Sequence, residues 1–409
     1  EQVGEKAFNL AELNKLKLPV PDAFILPVGV YESQIKNIKS EIDNLLNTII
    51  DEHSLKYASD KIRQLILSLE LPEYLKLEIL EAYKKLDSFS DISESFEFIK
   101  AGRDPMFVAV RSSSTHYAPN QQSSFLCIKG LTDLINAIKH CWASLFTPQA
   151  IVYRRKNNLS EPKIAVIIQK MVNTTRSGNI FTTSPLEKDK LLIEAEYGFS
   201  KGANPSQFFI NKDTNVLISS KIRNQKTYFG RNGSGKISKQ TMPHNIVNIT
   251  PLSEDDAKSL ANMAKKIEES FGSPQVINWA AEKNKLYLLQ SHPCNISLVV
   301  NEAQPEENMV LRGRYLLPAK IQGIVNIVNS KEEADNFQEG SILVTDMTNP
   351  YLFTIADKAK AIIVNGGGFA SHAIQLSKEL DKPCVIGTEN ATEVLNNGDE
   401  IEIDENGFI

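Results

Sequence analysis

The stretch "IIVNGGGFASHAIQLSKELDKPCVIG", residues 362–387, decides the fold of the last part of the chain. It begins in a short apolar strand and continues into "NGGG", a turn whose glycines can adopt positive φ and leave their backbone N–H groups open. Ser371 is a suitable N-cap for a helix that starts at His372. A strand, a glycine loop and a helix N-terminus in this order predict a site that binds a phosphate group.

His372 occupies the first turn of that predicted helix. The positive end of the helix dipole disfavours an imidazolium ion and keeps the ring neutral, and a neutral ring nitrogen is a nucleophile that can accept a phosphoryl group. The helix is expected to bury Ala373, Leu376 and Leu380 and to end at "DKP". A second interpretation is a strand-to-helix turn in which the histidine only caps the helix or fills space. Because glycine-rich turns of this kind are common, the local pattern leaves both interpretations open.

The composition describes an ordinary globular protein. The chain has 409 residues, of which 42% are hydrophobic and 23% charged, enough for two or three domains. A net charge of -5 and a pI of about 5.8 give no general attraction to nucleic acid or to anionic lipid, and no apolar run reaches the roughly 20 residues that span a membrane. The four cysteines have no CxxC spacing, which favours free thiols and a cytoplasmic protein.

Three regions follow one another along the chain. Residues 1–110 show helical periodicity, and "SDKIRQLILSLELPEYLKLEILEAYKKL" predicts two helices that are interrupted before Pro72. Short β-rich runs then alternate with helices up to residue 295, which predicts an α/β (α+β) nucleotide-binding domain over 1–295. Residues 296–310 lose this periodicity and are predicted to form a linker. Alternating strands and helices over 311–409 predict one compact α/β domain.

The C-terminal motif resembles the swivelling phosphohistidine domain of the phosphoenolpyruvate synthase and pyruvate phosphate dikinase family. That family's signature is a Gly-Gly pair, a Ser, Thr or Cys before His-Ala, and a helix that ends before Pro-x-Val-x-Gly. The segments "LVTDMTNP" and "AKAIIVNGGGFASHAIQLSKELDKPCVIG" carry it here. The resemblance implies that His372 is the residue that ATP phosphorylates.

Three segments of the first half are similar to the ATP-grasp domain of the same family. "VGEKAFNLAELNKLKLPVPDAFILP" is similar to its opening, which implies that Lys6 binds phosphate. "VAVRSSST" implies that Arg111 contacts the ATP phosphates through its fork of N–H donors. "AVIIQKMV" implies that Gln169, Lys170 and Met171 lie near the adenine.

The segment "VINWAAEKNKLYLLQSHP" resembles the closing motif of that domain, in which an acidic residue and a glutamine bind Mg²⁺ and an arginine contacts the phosphates. The matched residues here are Asn278 for the acid, Gln290 for the glutamine and His292 for the arginine. The resemblance therefore implies Mg²⁺ as a cofactor beside ATP, held by Gln290 and Asn278. Losing an anionic ligand should weaken Mg²⁺-ATP binding, because Mg²⁺ prefers anionic oxygen.

Three further departures lie close to the expected phosphate site. The opening Gly-Lys-Gly motif reads Gly-Glu-Lys-Ala over residues 4–7, the Gly-Leu-Gly-Glu segment reads "YGFSKGA" with Lys201 near the expected acid, and the loop after Thr115 is shorter than in the family. Lys201 and His292 are the two residues that could compensate for these departures at the phosphate site.

Two functions remain open at this level. The first is a dikinase-type phosphotransferase that phosphorylates His372 from ATP and passes the group to a pyruvate-like or other small acceptor. The second is a catalytically weakened module that binds nucleotide or a protein partner as a regulator. The family's full-length enzymes carry a C-terminal acceptor barrel that this sequence does not contain, so we expect a fragment, an acceptor site on a partner subunit, or a small pocket in the domains present.

Overall fold

The computed structural model describes residues 2–87, 106–115, 123–159, 163–200, 205–243, 249–294, 310–348, 352–369 and 371–409. Its contacts divide the chain into two units. Unit 1 comprises Glu1–Asn173 with Arg231–Ile237, and unit 2 comprises Thr174–Gly230 with Ser238–Ile409.

Several sequence expectations concern residues outside this description. They are the linker, apart from Val310, together with Lys201 and the loop that follows Thr115. The domain boundaries at 295 and 311 stay predictions.

Unit 1 joins seven α-helices to a four-stranded antiparallel sheet of order β1-β4-β2-β3, counted over its described residues. The elements are α1 (Gly4–Lys15), β1 (Ala23–Leu26), α2 (Val28–Ile35), α3 (Lys39–Asn47), α4 (Glu52–Ser68), α5 (Glu73–Asp87), β2 (Val108–Ser114), β3 (Ser124–Ile128), α6 (Gly130–Ala143), a 3-10 turn (Ser144–Phe146), α7 (Pro148–Lys156) and β4 (Ile164–Lys170). The interruption predicted before Pro72 is confirmed, since α4 ends at Ser68 and α5 begins at Glu73.

The two faces of this sheet pack against different helices. Val166 and Ile168 of β4 belong to the large core that includes Trp142 of α6. Ile167, between them, packs with Ala7 of α1 on the opposite face. Because successive strand residues project to opposite sides, the continuous apolar run of β4 serves both layers.

Unit 2 begins with a six-stranded antiparallel sheet of order β12-β11-β5-β6-β7-β8. Its strands are β5 (Arg176–Phe181), β6 (Lys190–Tyr197), β7 (Ser206–Asn211), β8 (Leu217–Lys221), β11 (Gln275–Glu282) and β12 (Lys285–Pro293), and α8 (Glu254–Phe271) follows the two-stranded hairpin of β9 (Thr227–Arg231) and β10 (Ile237–Thr241). Ser253 caps α8 by accepting a hydrogen bond from Asp256 N, and Gly272 ends it with φ +64°.

The C-terminal part of unit 2 forms a second six-stranded sheet, of order β13-β17-β16-β15-β14-β18. Its four central strands are parallel, and its two edge strands are antiparallel. The elements are β13 (Arg314–Leu316), β14 (Ile321–Ile327), α9 (Lys331–Ala334), β15 (Ile342–Thr345), α10 (Phe353–Lys358), β16 (Ala361–Val364), α11 (His372–Leu380), β17 (Cys384–Ile386), α12 (Ala391–Val394) and β18 (Glu400–Ile403). The predicted strand, glycine loop and helix are confirmed as β16 and α11.

Candidate functional site

The N-terminus of α1 is fastened to strand β2 by Ser113. The Ser113 hydroxyl donates to Val3 O at 2.8 Å and accepts from Ala7 N at 3.1 Å. Gly4 has φ +71°, and a Cβ on it would lie 2.4 Å from Ser113 O, so no larger residue fits this approach. Because Arg111 and Ser113 project from the same face of β2, this contact brings Lys6 to Arg111.

Lys6 and Arg111 form a partly buried cationic pair in unit 1. Burial and, to a smaller extent, the neighbouring Arg111 charge lower the pKa of Lys6 to about 7, while the nearby Glu5 acts in the opposite direction. Burial also lowers the pKa of Arg111 to about 10. Two cations placed side by side at the start of a helix are costly without an anion and suit a polyphosphate. The structure thus brings together the two residues that the sequence assigns to the phosphates.

This pair predicts proton uptake when ATP binds. Phosphates beside Lys6 should raise its pKa from about 7, so at pH 8 the side chain is largely neutral in the free protein and gains a proton in the complex. The affinity for ATP should therefore fall as the pH rises above 7, by at most about tenfold per pH unit. Calorimetric titration at pH 8 in two buffers of different ionisation enthalpy measures the uptake. Lys6→Met should abolish it, and an unmodified protein that takes up no proton would contradict this charge assignment.

The segment predicted to lie near the adenine is the end of β4. Gln169 pairs with Ala109, so its side chain shares the sheet face of Arg111; it is buried, with Nε2 3.5 Å from Pro21 O. Lys170 projects to the opposite face, and its N–H donates to Asp22 O. Met171 N donates to Phe107 O at 3.0 Å. Gln169 is thus on the phosphate-binding face, whereas the side chain of Lys170 is not.

A row of polar side chains crosses the first sheet of unit 2. Its members are directly opposite one another on five adjacent antiparallel strands, and so share one face: Gln290, Asn278, Asn179, Glu194 and Gln207. Asn278 Nδ2 donates to Asn179 Oδ1 at 2.7 Å, and Asn179 Nδ2 donates to Glu194 Oε2 at 3.4 Å. Gln207 Nε2 donates to Glu194 Oε1 at 3.4 Å. We call this set the polar row; it places Asn278 and Gln290 opposite each other and links Asn278 through Asn179 to the Glu194 carboxylate.

An apolar row lies beside the polar row on the same face. Its members, which lie opposite one another on adjacent strands, are Val276, Phe181 and Leu192. Each is two positions along its strand from a member of the polar row. They pack with residues from the C-terminal part of unit 2, namely Phe369, Ala373 and Ile374. The rings of Phe181 and Phe369 meet edge to face with centroids 6.1 Å apart. The glycine loop and helix α11 are therefore seated on this sheet. His292, opposite Val276, also projects toward this side.

Gly367 of this loop is needed for close packing. A Cβ on it would lie 2.8 Å from the Cα of Gly387. None of Gly366, Gly367 and Gly368 uses the positive φ that glycine permits. Ser371 does hold the N-cap position, but its hydroxyl accepts no bond from the helix N-terminus. The first N–H groups of α11 accordingly keep the capacity to bind an anion.

His372 is the first residue of α11 and is partly buried. Burial lowers its pKa below the ordinary value, which keeps the imidazole neutral near pH 7. Nδ1 is buried and has no hydrogen-bond partner among the described residues, so no acceptor in that part of the chain holds a proton on it. A neutral ring at a helix N-terminus, next to a close-packed glycine loop, can act as a phosphoryl acceptor.

The structure adds residues that sequence reasoning did not find. Glu194 and Asn179 complete the polar row, and Ser113 fixes the Lys6 end of α1. Burial raises the pKa of Glu194, while its hydrogen bonds and the Arg314 charge oppose that rise. A charged residue inside the apolar run "LLIEAEYG" was the available signal for Glu194.

Comparison with known proteins identifies two family domains along the chain. Residues 1–311 match the family described as "Pyruvate phosphate dikinase, AMP/ATP-binding domain", and residues 337–407 match "PEP-utilising enzyme, mobile domain". The chain belongs to this dikinase family. The match confirms the predicted α/β fold class, with a nucleotide-binding domain followed by a mobile domain, and supports ATP as a ligand of this family member.

Curated relatives of this family member cover nearly all of the chain. A probable phosphoenolpyruvate synthase of Methanothermobacter thermautotrophicus is 33% identical over 98% of this chain and 60% of its own length. One from Archaeoglobus fulgidus is 34% identical over 100% of this chain and 56% of its own length. The phosphoenolpyruvate synthase of Pyrococcus furiosus is 32% identical over 98% and 56%, respectively. The chain thus spans a little over half the length of these relatives.

Two absences apply to the described part of this family member. No helix there combines the length and apolar character needed to cross a membrane. No group of three or more His, Cys, Asp or Glu side chains there is arranged to hold a metal ion. At Asn278 and Gln290 themselves, a Mg²⁺ ion would be bound by amide oxygens and by oxygens of the nucleotide.

Proposed function

We propose that this chain is the nucleotide-binding and phosphohistidine part of an ATP-dependent, dikinase-type phosphotransferase, and that His372 accepts the phosphoryl group. One observation carries the proposal. The loop that presents a neutral His372, with Nδ1 unbonded, is seated on the sheet whose polar row contains Asn278 and Gln290. Lys6 and Arg111 are the cations proposed to bind the ATP phosphates.

The proposed step is an attack by a ring nitrogen of His372 on the β-phosphorus of ATP. A phosphorus–nitrogen bond forms, the bond from the β-phosphorus to the oxygen bridging the α-phosphate breaks, and AMP leaves with that oxygen. Water then releases the γ-phosphate as inorganic phosphate and leaves the β-phosphoryl group on the histidine. The N–H groups in the first turn of α11 would favour the added negative charge.

Magnesium is proposed as the cofactor of this step. Asn278 uses its amide nitrogen toward Asn179, which leaves Oδ1 for an ion, and Gln290 lies directly opposite on the next strand. Two neutral oxygens from adjacent strands fit an ion that keeps several waters and takes its anionic ligands from nucleotide phosphates. When bound, Mg²⁺ would neutralise charge on those phosphates.

The acceptor is proposed to be a pyruvate-like small molecule, because the relatives above are named phosphoenolpyruvate synthases. The chain covers 55–60% of most of those relatives, and we infer that the acceptor binds a further segment or a partner subunit. The enzyme is proposed to be cytoplasmic.

Direct detection of the modified residue tests the proposal. The protein is incubated with ATP and Mg²⁺, digested at alkaline pH, and the peptide that contains His372 is sequenced by mass spectrometry. Phosphate on that imidazole supports the proposal. A stoichiometric phosphate on another residue, or none after complete occupancy by ATP, would refute it.

Restoring the acidic residue at position 278 separates this proposal from a regulatory role. Asn278→Glu places an anionic oxygen beside the ion and should tighten Mg²⁺ binding in the ATP complex by about tenfold, while phosphorylation of His372 is maintained or faster. Asn278→Gln is the matched control, with similar size and no charge. A regulatory protein would instead bind nucleotide more tightly without forming phosphohistidine in either form. Titration of Mg²⁺, with both ATP binding and phosphohistidine formation measured, distinguishes the enzyme from the regulatory protein.

A further inference from the structure

Arg314 lies in β13, between the ranges that match the two family domains, and contacts the glycine loop twice. Its Nη1 donates to Gly367 O at 2.7 Å, and its guanidinium lies over the Phe369 ring, 4.4 Å from the centroid. The stacked and hydrogen-bonded arrangement uses both the planar face and the N–H edge of the group. Arg314 therefore fixes the backbone three to five residues before His372.

The same guanidinium reaches the polar row of the first sheet. Nη2 of Arg314 donates to Gln207 Oε1 at 3.2 Å, and its charge interacts favourably with Glu194. Arg314 is partly buried, and burial lowers its pKa, with Glu194 opposing that shift. A partly buried cation that contacts both the loop and the sheet is best stabilised while the two are together.

Glu194 supplies the complementary contact from the sheet side. Its carboxylate has no exposed surface, and Oε1 accepts the N–H of Phe369 at 2.8 Å. Asn179 and Gln207 give it longer hydrogen bonds of 3.4 Å each. The shortest of the three bonds is therefore the one made by the loop.

The nearby ion pair of Arg223 and Glu389 does not fix the position of the glycine loop in the same way. Arg223, whose side chain is 18% exposed, pairs with Glu389, whose side chain is 52% exposed. Solvent screens a pair that has one exposed partner, whereas removing one partner of a buried charge leaves the other uncompensated. The buried contacts of Arg314 and Glu194 are therefore the ones that can decide where the loop rests.

We propose that Arg314 and Glu194 are positioning residues that hold the glycine loop on the polar row and so place His372 for phosphorylation. This rests on the function proposed above for His372. Neither residue takes part in bond making. Their loss should slow phosphorylation of His372 without weakening ATP binding, because both act through the loop.

The positional claim is tested without ATP, by amide hydrogen exchange at Phe369. Arg314→Gln and Glu194→Gln should each speed exchange of that N–H about tenfold or more, because the first removes the cation that holds the loop and the second replaces the accepting carboxylate with a weaker, neutral amide acceptor. Arg312→Gln is the matched control: it removes an exposed cation two residues away in sequence, beside Phe408, and should leave exchange unchanged. Unchanged exchange in both test variants overturns the proposal. If only Arg314→Gln has an effect, the contact with Gly367 alone is responsible and the proposed role of Glu194 is wrong.

The double variant and single-turnover kinetics complete the test. If both residues act through one docked loop, the Phe369 N–H should exchange in the double variant, Arg314→Gln with Glu194→Gln, at about the rate seen in the faster-exchanging single variant. Additive effects of the two substitutions on that rate would contradict a shared contact. At saturating ATP, each variant should phosphorylate His372 about tenfold or more slowly with its ATP dissociation constant within about twofold of the original. Normal phosphorylation rates overturn the positioning role. Altered exchange in a protein that never forms phosphohistidine supports the loop contact and refutes the proposed function.

Discussion

His372→Ala is expected to abolish phosphohistidine formation while the dissociation constant of ATP stays within about twofold. The substitution removes the only proposed nucleophile, and Lys6 and Arg111, which are proposed to bind the phosphates, are untouched. Ala373 and Ile374 continue to pack on the apolar row, so helix α11 should keep its position on the sheet. Acid-labile, base-stable phosphate on the protein and calorimetric titration with ATP provide the two measurements.

His53→Ala is a suitable control, because His53 is exposed at the start of α4 in unit 1. This variant should retain phosphorylation. If the His372→Ala protein still accumulates base-stable phosphate, the acceptor is another residue and the assignment is wrong.

Arg111→Ala should weaken ATP binding by about 1.5 to 3 kcal/mol, or roughly 10- to 150-fold, because it removes a charge-assisted contact with a polyphosphate. Arg111 and Lys6 repel each other, because the Arg111 charge lowers the pKa of Lys6. Removing one of them should also raise the pKa of Lys6. Titration with ATP and Mg²⁺ measures the affinity.

The matched control is Arg63→Ala, which removes a surface guanidinium of α4 that lies 3.9 Å from Asp60. It should leave ATP affinity unchanged. An Arg111→Ala protein that binds ATP as tightly as this control would remove Arg111 from the nucleotide site.

The sequence predicted the elements around His372 because their signals are local. An apolar strand, a run of glycines and an amphipathic helix each have their own composition, and all three occur where expected. The sequence did not reveal the contacts that make particular residues necessary in these elements. The need for glycine at position 367 comes from Gly387, twenty residues later in the chain, and the Ser371 hydroxyl does not cap the helix despite its favourable position. Contacts of this kind depend on tertiary packing.

The polar row could not be predicted from local sequence patterns, because it too depends on tertiary structure. Asn278 and Asn179 become neighbours only through strand register, although 99 residues separate them. A shift of one residue in any of these pairings would move a side chain to the other face. The resemblance to a known family supplied Asn278 and Gln290, but it gave no reason to connect them to Glu194 or to Arg314.

The central claim is that His372 takes the β-phosphoryl group of ATP. Its most direct test is incubation of the protein, in the presence of Mg²⁺, with ATP labelled separately at the β and γ positions, followed by analysis of base-stable phosphate on the protein and of the released products. The account predicts β-label on His372, γ-label in inorganic phosphate, and one AMP for each phosphohistidine formed. Label on the protein from the γ position alone, with ADP as the product, or no phosphohistidine with ATP fully bound, would contradict it.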